Sequence, residues 1–197
     1  MRKIDRIKSL CITEGRIQSL NSGDVRYWRN KYKAIWRIST TREKAVLAII
    51  KYADFRDAEL ADHKPSINEY ITGLPGDVGN EKEEPDITIP SVGVWVEVTG
   101  TDKKVQPDDD LWIRTGDLAN ANKHLERDTW IVHSLDREGL LRPVHLTENT
   151  INRLLKIPLK EVRIRGTRAR YTSISSNDDI VKEFTDLLGY LKSKASH

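Results

Sequence analysis

Along this 197-residue chain, apolar and polar positions alternate most cleanly between residues 85 and 99. In Ile87-Thr88-Ile89 and Val94-Trp95-Val96-Glu97-Val98-Thr99, every second residue is a branched aliphatic. A period of two puts those residues on one side of a strand and their neighbours on the other. Pro90 to Gly93 supply the turn chemistry between the runs. The pattern predicts a β-hairpin with Ile87, Ile89, Val94, Val96 and Val98 on its apolar face. Asp86, Thr88, Trp95, Glu97 and Thr99 share the other face, so each strand carries one carboxylate.

Helical spacing takes over elsewhere. Val46, Leu47, Ile49, Ile50 and Ala53 predict a helix over residues 42–54, capped by Thr40 or Thr41. Glu43 falls on the side of Val46, Leu47 and Ile50. Residues 1–20 show no decisive period. The region 55–84 is broken by Asp62-His63-Lys64-Pro65 and Gly73-Leu74-Pro75-Gly76-Asp77, and one more strand is expected there. After the hairpin, Asp102–Asp110 reads as a mobile polar loop. Thr115 or Asp117 then caps a helix to Arg127, with Leu118, Ala121 and Leu125 as its inner stripe. Thr129–Leu135 is short and rich in β-branched residues, the signature of a strand.

Helix, hairpin, helix and strand, in that order, predict an α/β fold: a mixed β-sheet flanked by helices. The helix between strands lets the last strand run parallel to one strand of the hairpin. In the final third, Thr147–Leu155 reads as a helix, and Glu161–Arg165 and Thr167–Tyr171 read as strands turning near Gly166. Asn177-Asp178-Asp179 is expected to cap an amphipathic helix with Ile180, Val181, Phe184, Leu187, Leu188 and Leu191 on one face.

The length suits one domain with a core of its own. No apolar run approaches a membrane span, and Met1-Arg2-Lys3-Ile4-Asp5 opens no signal-peptide core. Cys11 is the only cysteine, so no internal disulfide forms, and a cytoplasmic location is expected. The net charge of +3 does not by itself argue for nucleic acid. Its distribution says more. Residues 26–37 hold Arg26, Arg29, Lys31, Lys33 and Arg37 among four aromatics and no acid. Residues 162–171 hold Arg163, Arg165, Arg168 and Arg170, also without an acid. Half of residues 77–86 are acidic. A carboxylate site inside a basic groove has this polarity.

Two carboxylates on facing strands are what a hard divalent cation such as Mg²⁺ needs, with waters completing its shell. The plainer account is an ordinary solvated hairpin face. A mid-strand Glu97 between two valines argues against it, because a buried charge without a partner is costly. The five histidines form no ligand spacing, and no glycine-rich phosphate loop is present.

Pro85-Asp86, a turn, and a strand bearing Glu97-Val98-Thr99 resemble the signature of the PD-(D/E)xK nuclease superfamily, which includes most type II restriction endonucleases and several junction resolvases. The third motif position is Thr99 where the family carries lysine. The resemblance covers residues 41–136, so the chain reads as one nuclease domain over 1–197. Residues 1–40 and 140–197 would then be elaborations that bind DNA or dimerise. The resemblance implies a restriction-endonuclease-like fold and a Mg²⁺-dependent DNA endonuclease, with Asp86 and Glu97 as metal ligands and Thr99 lining the site. It also implies a third acid at Glu43. A displaced lysine is sought at Lys103, which shares strand parity with Glu97, or at Lys123 on the next helix. The basic segments would contact double-stranded DNA, and a two-stranded ribbon of arginines fits a major groove. Cutting both strands with one site per chain implies a homodimer or a partner subunit. A Holliday junction resolvase or repair nuclease, or a DNA-binding protein without catalysis, is the alternative.

Overall fold

The computed structural model describes residues 24–61, 85–101, 104–106, 109–164 and 167–196. Helix α1 runs from Asp24 to Tyr52, far longer than the apolar stripe predicts. The expected cap at Thr40 or Thr41 is therefore a mid-helix position. No glycine or proline interrupts residues 24–52, and each Ser or Thr weakens a helix by only a few tenths of a kcal/mol. Ser39 also donates its hydroxyl to Glu43 one turn on, at 2.8 Å. The helix stops at Asp54, whose φ of 78° lies in the left-handed region.

Strands β1 (Glu59–Leu60), β2 (Ile87–Ile89) and β3 (Val94–Thr101) follow, with a 3-10 turn at Pro90–Val92 closing the hairpin. Next come β4 (Asp110–Arg114), α2 (Thr115–Lys123), β5 (Asp128–Leu135) and β6 (Leu140–His145). The chain ends with α3 (Glu148–Leu154), β7 (Lys160–Ile164), β8 (Thr167–Ser175) and α4 (Phe184–Ala195). A five-stranded sheet has the order β1-β2-β3-β5-β6, and a three-stranded sheet the order β4-β8-β7. In the larger sheet β3 and β5 are parallel and every other pairing is antiparallel. The fold is thus a mixed sheet flanked by helices, and β1 is the additional strand expected in the 55–84 region.

The two faces of the larger sheet belong to two cores. On the first, Ile87, Ile89, Val94, Val96, Val98, Trp130 and Val132 pack against Val46 and Ile50 of α1 and Leu187 and Leu191 of α4. On the second, Ile131, Leu135 and Val144 pack against Leu111, Ile113, Leu118, Ile151, Leu154 and Ile174. The second core joins the two sheets. Arg42 of α1 clamps the far end of β5 through Asp136, with Nε 3.0 Å from both carboxylate oxygens. Gly100 lies beneath it, where a Cβ would stand 2.5 Å from the Ser134 carbonyl and 2.9 Å from Arg42 Nε.

Three other expectations change. The helix after the hairpin ends at Lys123, and Leu125 is exposed instead of lining its inner stripe. Neither Thr115 nor Asp117 caps it: Arg114 holds the N-cap position, and Asp117 sits in the first turn. The C-terminal helix begins at Phe184, where Glu183 and Asp186 form a reciprocal capping box. Upstream, Asp178 closes a turn onto the Ile180 N–H at 3.1 Å, and Val181 bridges to Val144. Ile180 and Val181 join the second core while Phe184, Leu187 and Leu191 join the first, so one apparent stripe serves two layers. The sequence pattern did not announce β4 or β6. β6 is an edge strand, which tolerates Pro143. Among the described residues no helix is long and apolar enough to cross a membrane.

Candidate functional site

The hairpin forms in the register that its alternation demands. Ile87 pairs with Val96, Thr88 with Trp95 and Ile89 with Val94. The apolar set is buried, while Asp86, Thr88, Trp95, Glu97 and Thr99 are half-buried. Continued by one residue, this register puts Asp86 opposite Glu97. Asp86 is anchored on both sides. Its carbonyl accepts the Ala61 N–H at 3.1 Å, and its Oδ2 accepts the Val98 N–H at 2.9 Å. The carboxylate is thus drawn across the hairpin to the stretch of β3 that bears Glu97.

The parallel pairing of β3 with β5 sets Glu97 beside Ile131 and Thr99 beside His133, on the second face. His133 is buried, with Nδ1 3.3 Å from the Arg142 carbonyl and Nε2 3.2 Å from the Trp112 carbonyl. Burial outweighs those carbonyls and lowers its pKa, favouring the neutral ring. Glu97 and Trp95 also line a small cavity against α2, shared with Asp117, Asn120 and, past the helix, Arg127. The Arg127 guanidinium carbon lies 4.1 Å from the centre of the Trp95 ring.

Asp117 and Arg114 are the residues that sequence reasoning missed. Burial, reinforced by the negative charge of Asp86 and opposed by Arg114, pushes the Asp117 carboxyl up to about 6. Burial also disfavours the charge on Arg114. Asp117, the Tyr171 hydroxyl and Asp86 outweigh it and raise its pKa. Arg114 is the last residue of β4 and pairs with Tyr171 of β8, whose ring packs 5.8 Å from Trp112. The one available signal was Asp117 near the start of a helix, which reads equally well as helix-end electrostatics.

Glu43 is buried on α1, the helix covering the first face, while Glu97 points to the second. Lys123 is exposed at the end of α2 and is not among the residues lining the cavity with Glu97. Lys103 and Arg165 lie outside the described residues. Arg26, Arg29, Lys31, Lys33 and Arg37 all lie on α1, with side chains outside the described part.

The ribbon forms as expected. Arg163 pairs with Arg168, Glu161 with Arg170 and Lys160 with Tyr171. Because β4 stops at the Arg114–Tyr171 pair, β7 and β8 continue past it as two strands alone. The ribbon's root is tied by Lys160 Nζ, 2.8 Å from Asp110 of β4 and 3.1 Å from Ser173 of β8. Arg170 is exposed.

Asp86 and Glu97 suit a hard divalent cation: both offer anionic oxygens, and Asp86, immediately before β2, lies opposite Glu97 of β3. Among the described residues, no group of three or more His, Cys, Asp or Glu side chains is arranged to hold a metal. A cation here would therefore take its remaining ligands from water and substrate.

No family model matches this chain, and no curated protein sequence does. Among solved structures, a protein described as D212, a nuclease from a fusselovirus, is similar over 53% of this chain and 59% of that one. The identity is 21% and the TM-score 0.36.

Proposed function

We propose that this chain is a Mg²⁺-dependent DNA endonuclease of restriction-enzyme type, hydrolysing phosphodiester bonds of double-stranded DNA in the cytoplasm. The observation that carries this reading is the hairpin's second face. Asp86 is anchored to both neighbouring strands and its carboxylate crosses to β3, where Glu97 shares its face.

Asp86 and Glu97 hold the cation. When bound there, Mg²⁺ polarises the phosphate and supplies a water of lowered pKa. Thr99, two residues on and on the same face, offers a hydroxyl that accepts and donates a hydrogen bond to such a water. The ribbon of β7 and β8, with Arg163, Arg168 and Arg170, is the element that enters a DNA groove. Arg165 belongs to the same groove-entering set, while Arg26, Arg29, Lys31, Lys33 and Arg37 of the amino-terminal segment contact backbone phosphates. A homodimer or a partner subunit brings a second site to the other strand.

The second reading is a DNA-binding protein without catalysis. It is favoured by Thr99, which cannot carry the charge of a lysine. Incubation with supercoiled plasmid, with and without Mg²⁺, separates them. The endonuclease reading expects Mg²⁺-dependent linear or discrete fragments that vanish in Asp86→Ala and Glu97→Ala. Mobility shifts with intact plasmid would support the binder, and preference for a four-way junction over duplex would support a resolvase.

A further inference from the structure

A phosphodiester approaching this hairpin meets Glu97 and Asp117, which line one small cavity, and Asp86, whose charge is felt by Asp117. A metal ion offsets part of that repulsion, and an anionic substrate still needs a protein cation facing it. Other arginines with described contacts already have partners of their own. Arg42 clamps Asp136, Arg142 bonds Glu183 and the Ser176 carbonyl, and Arg153 bonds Asp178 and Asp179. Arg127 lies over the Trp95 ring.

Arg114 differs in its surroundings. The strand pairing of β4 with β8 places it against Tyr171, and the turn into α2 brings Asp117 within its first helical turn. Asp86 lies within electrostatic reach of the same guanidinium. Arg114 as a whole is exposed, although protein atoms crowd its guanidinium. A guanidinium carries five N–H donors, more than the Tyr171 hydroxyl takes up, and its planar fork matches two oxygens of a phosphate.

We propose that Arg114 is the phosphate-contacting cation of this site, held by Tyr171 and Asp117 at the acidic end of the hairpin so that it donates to a non-bridging oxygen of the phosphodiester. This rests on the nuclease reading and adds the residue that receives the substrate's charge. Arginine stays protonated and cannot serve as a base, so its contribution is positioning and charge stabilisation of the phosphate as it becomes more negative in the transition state.

Arg114→Met and Arg114→Lys test this through duplex binding over a salt series, in EDTA and in Ca²⁺, and through single-turnover cleavage in Mg²⁺. A phosphate contact predicts that Arg114→Met weakens binding to all sequences alike and lowers the salt slope by about one unit. Cleavage should fall by about 10²–10³-fold. Arg114→Lys should keep the slope and recover only part of the rate, because an ammonium is not a fork. If Arg114→Met fails to fold, Arg114→Lys decides: a full wild-type rate overturns the proposal. An unchanged slope in Arg114→Met, with cutting still abolished by Asp86→Asn, overturns it and leaves the nuclease reading standing. A slope lowered by Arg114→Met, in a protein whose wild type never cuts, supports the phosphate contact and sinks the nuclease reading.

Discussion

On one face of β3, Val94, Val96 and Val98 meet α1 and α4 in a continuous apolar layer; on the other, Trp95, Glu97 and Thr99 face α2 and the smaller sheet. The same strand thus serves two environments one residue apart. The first face supplies burial, which drives folding in proportion to apolar area removed from water. The second carries acids whose mutual repulsion and desolvation oppose folding. The Asp117 carboxyl, pushed up to about 6, reports that opposition. Strain of this kind is tolerable because the valine face stabilises the hairpin independently, and a site that works against stability is where function is expected.

The largest effect should come from reversing the two faces at neighbouring positions. Val96 is fully buried, and Val96→Asp places a charge without a partner in the first core. It should cost about 3–5 kcal/mol in urea unfolding, enough to unfold a marginal domain. Glu97→Ala, one residue away, should change stability by less than about 1 kcal/mol and abolish Mg²⁺-dependent cleavage, with duplex binding retained. Equal stability losses in the two variants would erase the contrast between the faces.

Acid titration separates the faces by sign. On the first, Asp128 at the head of β5 accepts from His145 at 2.8 Å and from Tyr190 and Lys194 of α4, each at 2.6 Å. Burial would raise its pKa, but these hydrogen bonds prevail and hold it at about 2, against 3.8 for the free group. A depressed carboxyl stabilises the fold above its unfolded pKa. Stability should therefore drop by about 1–2 kcal/mol as pH falls from 4 to 2. Asp117 has the opposite shift, from 3.8 to about 6. Its protonated form is the favoured one in the fold, so its contribution is present at low pH and lost as pH rises through 6. Unfolding free energies measured from pH 2 to 8 should show Asp128→Asn flattening the acid limb and Asp117→Asn flattening the limb near 6. A single limb removed by either variant would mean that the two groups are not independent.

Thr99→Ala should give the smallest effect, roughly tenfold or less in rate, because its hydroxyl replaces no metal ligand. A loss as large as that of Glu97→Ala in single-turnover kinetics would promote Thr99 to a principal role.

Local patterning in the chain was enough to place the hairpin, its register, its apolar face and the pairing of Asp86 with the Glu97 strand. Period-two alternation and turn chemistry act over a few residues and survive in the fold because one face is buried, which punishes a register slip. The order of helix, hairpin, helix and strand, the parallel strand Asp128–Leu135 and the ribbon around residue 166 were legible for the same reason. Boundaries were less so. An uninterrupted run without glycine or proline carried α1 back to Asp24, and one apolar stripe near residue 180 turned out to feed two cores. Tertiary structure alone brought Arg114 and Asp117 within electrostatic reach of Asp86, and Tyr171 beside Arg114. Arg114 meets Tyr171 through a pairing between strands distant in the chain, and Asp117 comes within electrostatic reach of Asp86 only once α2 lines the cavity beside Trp95 and Glu97. Neither contact has a sequence period. Each arises because two cores on opposite faces of one sheet fix where its polar edge points, and a charge acquires its pKa only from the neighbours that packing gives it.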